Sequence, residues 1–188
     1  MLPIAGHAFS ATPEVTSDNN KANPKQPNVI LLVGDDIGYG DLQCYGAKNV
    51  KTPNVDRLAE AGVRFTNAHC VAATSTPSRY SLLTGEYAWR KEDTNIADGD
   101  AAMIIKPSQF TLADMFRSVG YSTAAIGKWH LGLGDTNGGQ DWNASLAESP
   151  ADIGFDYHYI MAATADRVPC AFIENGKVAN YDASAPIS

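Results

Sequence analysis

With 188 residues, 44% hydrophobic and 19% charged, the chain has ordinary globular composition and enough length for one sizeable core. Its net charge of -7 argues against general binding to nucleic acid or other polyanions, so an anionic substrate must be met by a local cluster of positive groups. No run is long and apolar enough to span a membrane, and Cys44, Cys70 and Cys170 form neither a disulfide framework nor a metal-ligand spacing. The opening "MLPIAGHAFSATPEV" reads either as the back end of a secretory signal without its basic front or as a frayed terminus. Residues 11–27 are polar and broken by prolines, a flexible lead-in. The organisation expected is therefore a lead-in over 1–27 and one domain portion over 28–188.

The first ordered element is "NVILLV", residues 28–33, a continuous apolar run of the kind that forms a strand buried on both faces. Thr52 and Pro53 then open a helix through Ala61, with Val55, Leu58 and Ala59 on one face and Gly62 as its stop. "VRFTNA", residues 63–68, has strand character. In "STPSRYSLLTG", residues 75–85, Thr76 is a capping residue, Pro77 suits the first helical position and Gly85 ends the helix. Ser75 is thereby expected just outside a helix N-terminus, where negative charge is favoured, with the Arg79 guanidinium one turn further in. Leu112, Met115, Phe116 and Val119 mark another helix over Thr111 to Val119, and "YSTAAIG" after it reads as a second buried strand. Asn175-Gly176 between two short extended runs signals a hairpin with a type I′ turn. Strands alternating with amphipathic helices predict an α/β fold, a mainly parallel sheet sandwiched by helices, with the β-hairpin near the C-terminus.

Ligands of such sheets collect at the carboxyl ends of the strands. The first strand is followed by "GDDIGYGD", which sets Asp35 beside Asp36, with Asp41 nearby. Adjacent carboxylates repel, so the pair suits a hard cation held by oxygen donors, calcium or magnesium rather than zinc; the alternative is a turn that the aspartates cap. Gly38, Gly40 and Gly46 lack the G-x-G-x-x-G spacing, and two acids would repel a pyrophosphate. The second strand runs into "GKWHLGLGD", which supplies an ammonium, Lys128, and an imidazole, His130, either as a solvated turn or as part of a site. Cationic groups and a divalent ion around an oxygen nucleophile suit displacement at a sulfur or phosphorus oxyanion centre.

"NVILLVGDD", "STPSR" followed by "LLTG", and "GKWHLG", in this order, resemble the N-terminal part of the arylsulfatase-type sulfatases of the alkaline phosphatase superfamily. The resemblance runs from about Asn28 through "GFDY" near Gly154 and the "MAATADRVPC" segment. It implies that Ser75, the first residue of C/S-x-P-S-R, is oxidised after translation to formylglycine, with Pro77, Ser78 and Arg79 also serving recognition by the modifying enzyme. The hydrated aldehyde attacks sulfur through one hydroxyl; loss of the proton from the other, assigned to His130, expels sulfate and restores the aldehyde. The same matching assigns Asp35, Asp36 and residue 75 to one calcium ion, Arg79 to steadying the modified residue, and Lys128 to contact with it and with the sulfate.

Serine at position 75 resembles the bacterial type matured by a radical-SAM enzyme; replacement of a native cysteine is the other explanation. The substrate implied is a sulfate ester, by family analogy a sulfated carbohydrate, and the location implied is periplasmic or secreted. A phosphonate monoester hydrolase or phosphodiesterase of the same superfamily is the alternative activity, and a non-catalytic remnant the alternative class. Such sulfatases are considerably longer than this chain. Their later half supplies a further Asp-Asn or Asp-Gln metal pair, a second histidine that protonates the leaving alcohol and a second sulfate-binding lysine, so the chain is expected to carry half of a site.

Overall fold

The computed structural model describes residues 26–187. The signal remnant and most of the lead-in expected over 1–27 lie outside the described residues. The chain divides after Ile37 into two units. In the first, residues 28–33 form no strand, and Ile30 (82%) and Leu32 (79%) are exposed. The buried strand expected here is therefore not formed. An apolar run carries a demand for burial, but the ladder bonds and both covering faces of a strand have to come from other segments.

In the second unit, helix α1 (Pro53–Ala61) begins with proline as expected. Thr52 does not cap it through its side chain. Its hydroxyl instead accepts from the Gln43 N–H at 2.9 Å and donates to Asp56 at 3.1 Å, and Asp56 also accepts from the Cys44 N–H at 2.9 Å. The apolar stripe of α1 stays open, with Leu58 64% exposed. "VRFTNA" forms no strand, and Val63 and Phe65 are exposed. As with residues 28–33, local β-propensity is not enough when no neighbouring strand pairs with the segment.

Helix α2 (Ser75–Thr84) starts two residues earlier than its proline suggests. Thr74 is the N-cap, and Pro77 sits at the third helical position. That placement costs nothing in hydrogen bonds, because the first four helical N–H groups lack intrahelical partners. Gly85 ends α2 in the left-handed conformation (φ 71°), its N–H bonded to the Ser81 carbonyl at 2.9 Å. Helix α3 (Leu112–Ser118) is opened by a reciprocal capping box between Thr111 and Asp114.

The fold is α/β, with a four-stranded sheet in the order β1-β2-β3-β4. Strand β1 (Ala124–Lys128) pairs in parallel with β2 (Tyr157–Met161), Gly127 facing Ile160. Strands β3 (Phe172–Glu174) and β4 (Lys177–Val178) follow antiparallel, so the sheet is mixed. The turn between them holds Asn175 at φ 46° and Gly176 at φ 81°, the positive pair that a type I′ hairpin requires. One face of the sheet sends Ile160 and Ile173 into a core with Tyr80, Met103, Ile105, Trp129, Leu131 and Leu133. Burial of such side chains stabilises by roughly 1.5–3 kcal/mol each. The other face is open at Ile126, 68% exposed, so β1 is covered on one side only.

Past β1 the chain stays in the core. Residues 101–104 and 131–134 bond through Ile104 N–H to Leu131 O at 2.9 Å, Leu133 N–H to Ala101 O at 2.9 Å and Met103 N–H to Gly134 O at 2.8 Å. Gly132 (φ 72°) permits this approach, because a Cβ there would overlap the Ala102 backbone. The loop carrying Trp129 and His130 is thereby fixed on both sides.

Candidate active site

Two elements of the second unit meet at Ser75. As the first residue of α2, Ser75 lies one helical turn from Arg79, the spacing at which helical side chains touch. The Arg79 Nε–H donates to Ser75 Oγ at 2.9 Å, and its Nη1 donates to the Lys128 carbonyl at 2.7 Å. Arg79 thus ties the start of α2 to the end of β1. Lys128 meets this constellation through its backbone, and its side chain is half-buried.

His130 follows two residues later, buried at 3% exposure, with a left-handed backbone (φ 56°) that non-glycine residues seldom adopt. Three bonds keep it there. Its N–H donates to the Ala162 carbonyl at 3.1 Å, continuing the β1–β2 ladder. Its own carbonyl accepts from the Thr76 hydroxyl at 3.0 Å, and its Nε2 lies 3.0 Å from the Ala97 carbonyl. A carbonyl only accepts, so Nε2 carries the proton and Nδ1 of the neutral ring is an acceptor. Nδ1 stands 3.1 Å from Ser75 Oγ. The Ser75 oxygen therefore accepts from Arg79 and donates to His130.

Burial is the main cause that pulls the His130 pKa below the usual histidine value; the hydrogen bond to Ala97 opposes it, and the charges of Lys128, Arg167 and Arg79 add to the lowering. A neutral imidazole beside a hydroxyl, with positive charges around it, holds an oxygen at position 75 with a proton acceptor on one side and a cationic donor on the other.

Sequence reasoning did not foresee Thr76 in this role. It is fully buried, and besides donating to His130 O it accepts from the Ala97 N–H at 3.0 Å. It joins α2, the loop at 97 and the histidine loop. Only the location of residues 97 and 130 could reveal this, and no local signal carries it. Ser78 donates to the Ala72 carbonyl at 2.9 Å and so secures the approach to α2. Arg167, whose charge acts on His130, carried no motif signal beyond the "MAATADRVPC" segment.

Asp35 and Asp36 belong to the first unit, where both are exposed and Asp36 has φ 55°. Among the described residues no three or more His, Cys, Asp or Glu side chains converge as a metal cluster. The adjacent carboxylates fit a hard cation by donor type, and by number they require further oxygens. Cys44, Cys70 and Cys170 are all free thiols. No helix of the described residues is long and apolar enough to cross a membrane.

The family model for sulfatases matches residues 27–171. An N-acetylgalactosamine-6-O-sulfatase of Bacteroides thetaiotaomicron is 49% identical over 188 residues, which is 100% of this chain and 36% of that protein. Human steryl-sulfatase is 35% identical over 146 residues, 74% of this chain and 24% of its own length. A solved 6S-sulf structure from B. thetaiotaomicron, described with the metabolism of multiple glycosaminoglycans, has a TM-score of 0.78 at 54% identity, covering 81% of this chain and 32% of that one. The chain spans 24% to 36% of the length of these curated relatives. With its family model matched over most of its residues, the chain belongs to the sulfatase family.

Proposed function

We propose that the chain carries the nucleophile side of a sulfuric ester hydrolase that removes sulfate from sulfated carbohydrates. The observation that carries this reading is the Ser75 oxygen held between the Arg79 Nε–H and His130 Nδ1. Residue 75 is the seat of the nucleophile. His130, neutral and anchored through Ala97, takes a proton from the group at position 75. Arg79 stabilises negative charge on the oxygen there, and Lys128, at the end of the adjoining strand, attracts the sulfate. Formylglycine at position 75, formed by a radical-SAM maturase, supplies a hydrated aldehyde, whose two hydroxyls allow sulfate to be released where a serine ester would persist. Calcium would be held by Asp35 and Asp36, which the family resemblance assigns to it, and would supply Lewis-acid polarisation of oxygen. The pair fits by its oxygen-only donors.

The carbohydrate substrate rests on the B. thetaiotaomicron relative, whose name assigns it the 6-O-sulfate of N-acetylgalactosamine. A periplasmic or secreted location accompanies that substrate class. Parallel turnover of 4-nitrophenyl sulfate and 4-nitrophenyl phosphate by the whole gene product tests the reaction class. Sulfate ester hydrolysis that Ser75→Ala abolishes is the expected result. Preference for the phosphate ester would transfer the chain to the phosphoryl hydrolases of the superfamily.

A further inference from the structure

The loop after β2 brings a third full positive charge to the site. His130 N–H bonds Ala162 O, so the chain leaving β2 runs alongside the histidine before turning through 164–167, where the Arg167 N–H bonds the Thr164 carbonyl at 3.2 Å. The next residue packs against the loop that holds His130: a Cβ at Gly99 would overlap the Val168 carbonyl, two residues from the Ala97 carbonyl that receives His130 Nε2. Arg167 is thus built into the same frame as the imidazole, and its charge acts there together with those of Lys128 and Arg79.

Among the described residues Arg167 has a carboxylate partner in Asp98, and that pair is long and solvent-exposed. The Arg167 Nε is buried without a hydrogen-bond partner. The Asp98 carboxylate lies 3.8 Å from Nη1, beyond hydrogen-bond reach, and its side chain is 86% exposed. Asp166, next in sequence, is taken up by the Thr164 hydroxyl. The Arg167 side chain is 32% exposed and its ion pair with Asp98 is long, so the guanidinium is weakly held and open to a further oxygen acceptor.

We infer that Arg167 is a substrate-recognition residue, its guanidinium donating to an oxygen of the sulfated sugar beside the group at position 75. This rests on the sulfatase reading of the site. The acceptor is either a sulfate oxygen or a hydroxyl of the sugar ring.

Nitrogen-15 NMR of arginine Nε–H signals tests it, with Arg167→Lys and Arg79→Lys assigning the two resonances. The protein is titrated with inorganic sulfate and, separately, with N-acetylgalactosamine 6-sulfate. The Arg167 signal is expected to shift saturably with the sugar sulfate. A parallel shift with inorganic sulfate identifies the sulfate as acceptor, and its absence identifies the ring. Arg167→Lys is expected to weaken sugar binding about tenfold with an unchanged thermal midpoint, as befits loss of a charge-assisted donor rather than of packing. If the Arg79 signal moves and the Arg167 signal does not, the inference is overturned and the site reading stands. If neither moves, both fail.

Discussion

Replacement of Thr76 by valine isolates the contact that holds the site together. The two side chains have nearly the same shape, so the change removes a hydroxyl from a fully buried position while leaving its volume filled. Two hydrogen bonds vanish, one to the His130 carbonyl and one from the Ala97 N–H, both 3.0 Å long. Each buried polar group that loses its partner costs about 1–3 kcal/mol, which sets an expected loss of about 2–4 kcal/mol after partial relaxation. Thr76→Ser keeps the hydroxyl and forfeits one methyl, so it is expected to cost only about 1 kcal/mol. Urea denaturation followed by tryptophan fluorescence reads both: the midpoint falls strongly for valine and weakly for serine, with the slope unchanged. A valine variant within 0.5 kcal/mol of the parent, or a serine variant worse than valine, would refute the assignment of Thr76 as the link between α2, residue 97 and the histidine loop.

Three further outcomes are expected. His130 and His158 both have pKa values lowered chiefly by burial, so their neutral forms are favoured by the fold; stability is full above the ordinary histidine value near 6.5 and declines as pH falls from there through the lowered values. Denaturation at pH 8, 6 and 5 checks this, and a gain in stability on acidification would contradict it. Calcium binding by this chain is expected nearer the millimolar than the submicromolar end of protein sites, since calcium takes six to eight oxygens; calorimetry with Asp35→Ala and Asp36→Ala controls measures it, and submicromolar binding needing both aspartates would show a complete site. The peptide spanning Ser75 is expected about 2 Da lighter after coexpression with an anaerobic maturase, with Ser78 and Ser81 unchanged; modification at Ser78 in the mass spectrum would contradict the assignment.

What was legible in the sequence is what local chemistry decides. Proline at the head of α1, the apolar spacing of Leu112, Met115 and Phe116 in α3 and the Asn175-Gly176 turn are local patterns, and each element forms. Residues 28–33 and 63–68 fail as strands because pairing needs a neighbour that no local pattern supplies. The start of α2 differs from the expectation for another reason: the sequence pointed to Thr76 as the cap, whereas Thr74, of the same residue type two positions earlier, takes that place, and Pro77 fits anywhere in the first turn. Ser75 and Arg79 were readable as one unit from their helical spacing. Their meeting with His130, and the hidden parts played by Thr76, Ala97 and Arg167, depend on contacts across 21 to 55 positions of chain.

The most direct test of the central claim is sulfate release from N-acetylgalactosamine 6-sulfate by the matured whole gene product, beside its Ser75→Ala and His130→Ala variants. Release by the parent, loss with Ser75→Ala and a fall of roughly 10²–10⁴-fold with His130→Ala are the results predicted for a nucleophile at position 75 with an imidazole proton acceptor. Undiminished release by the Ser75→Ala variant would contradict it.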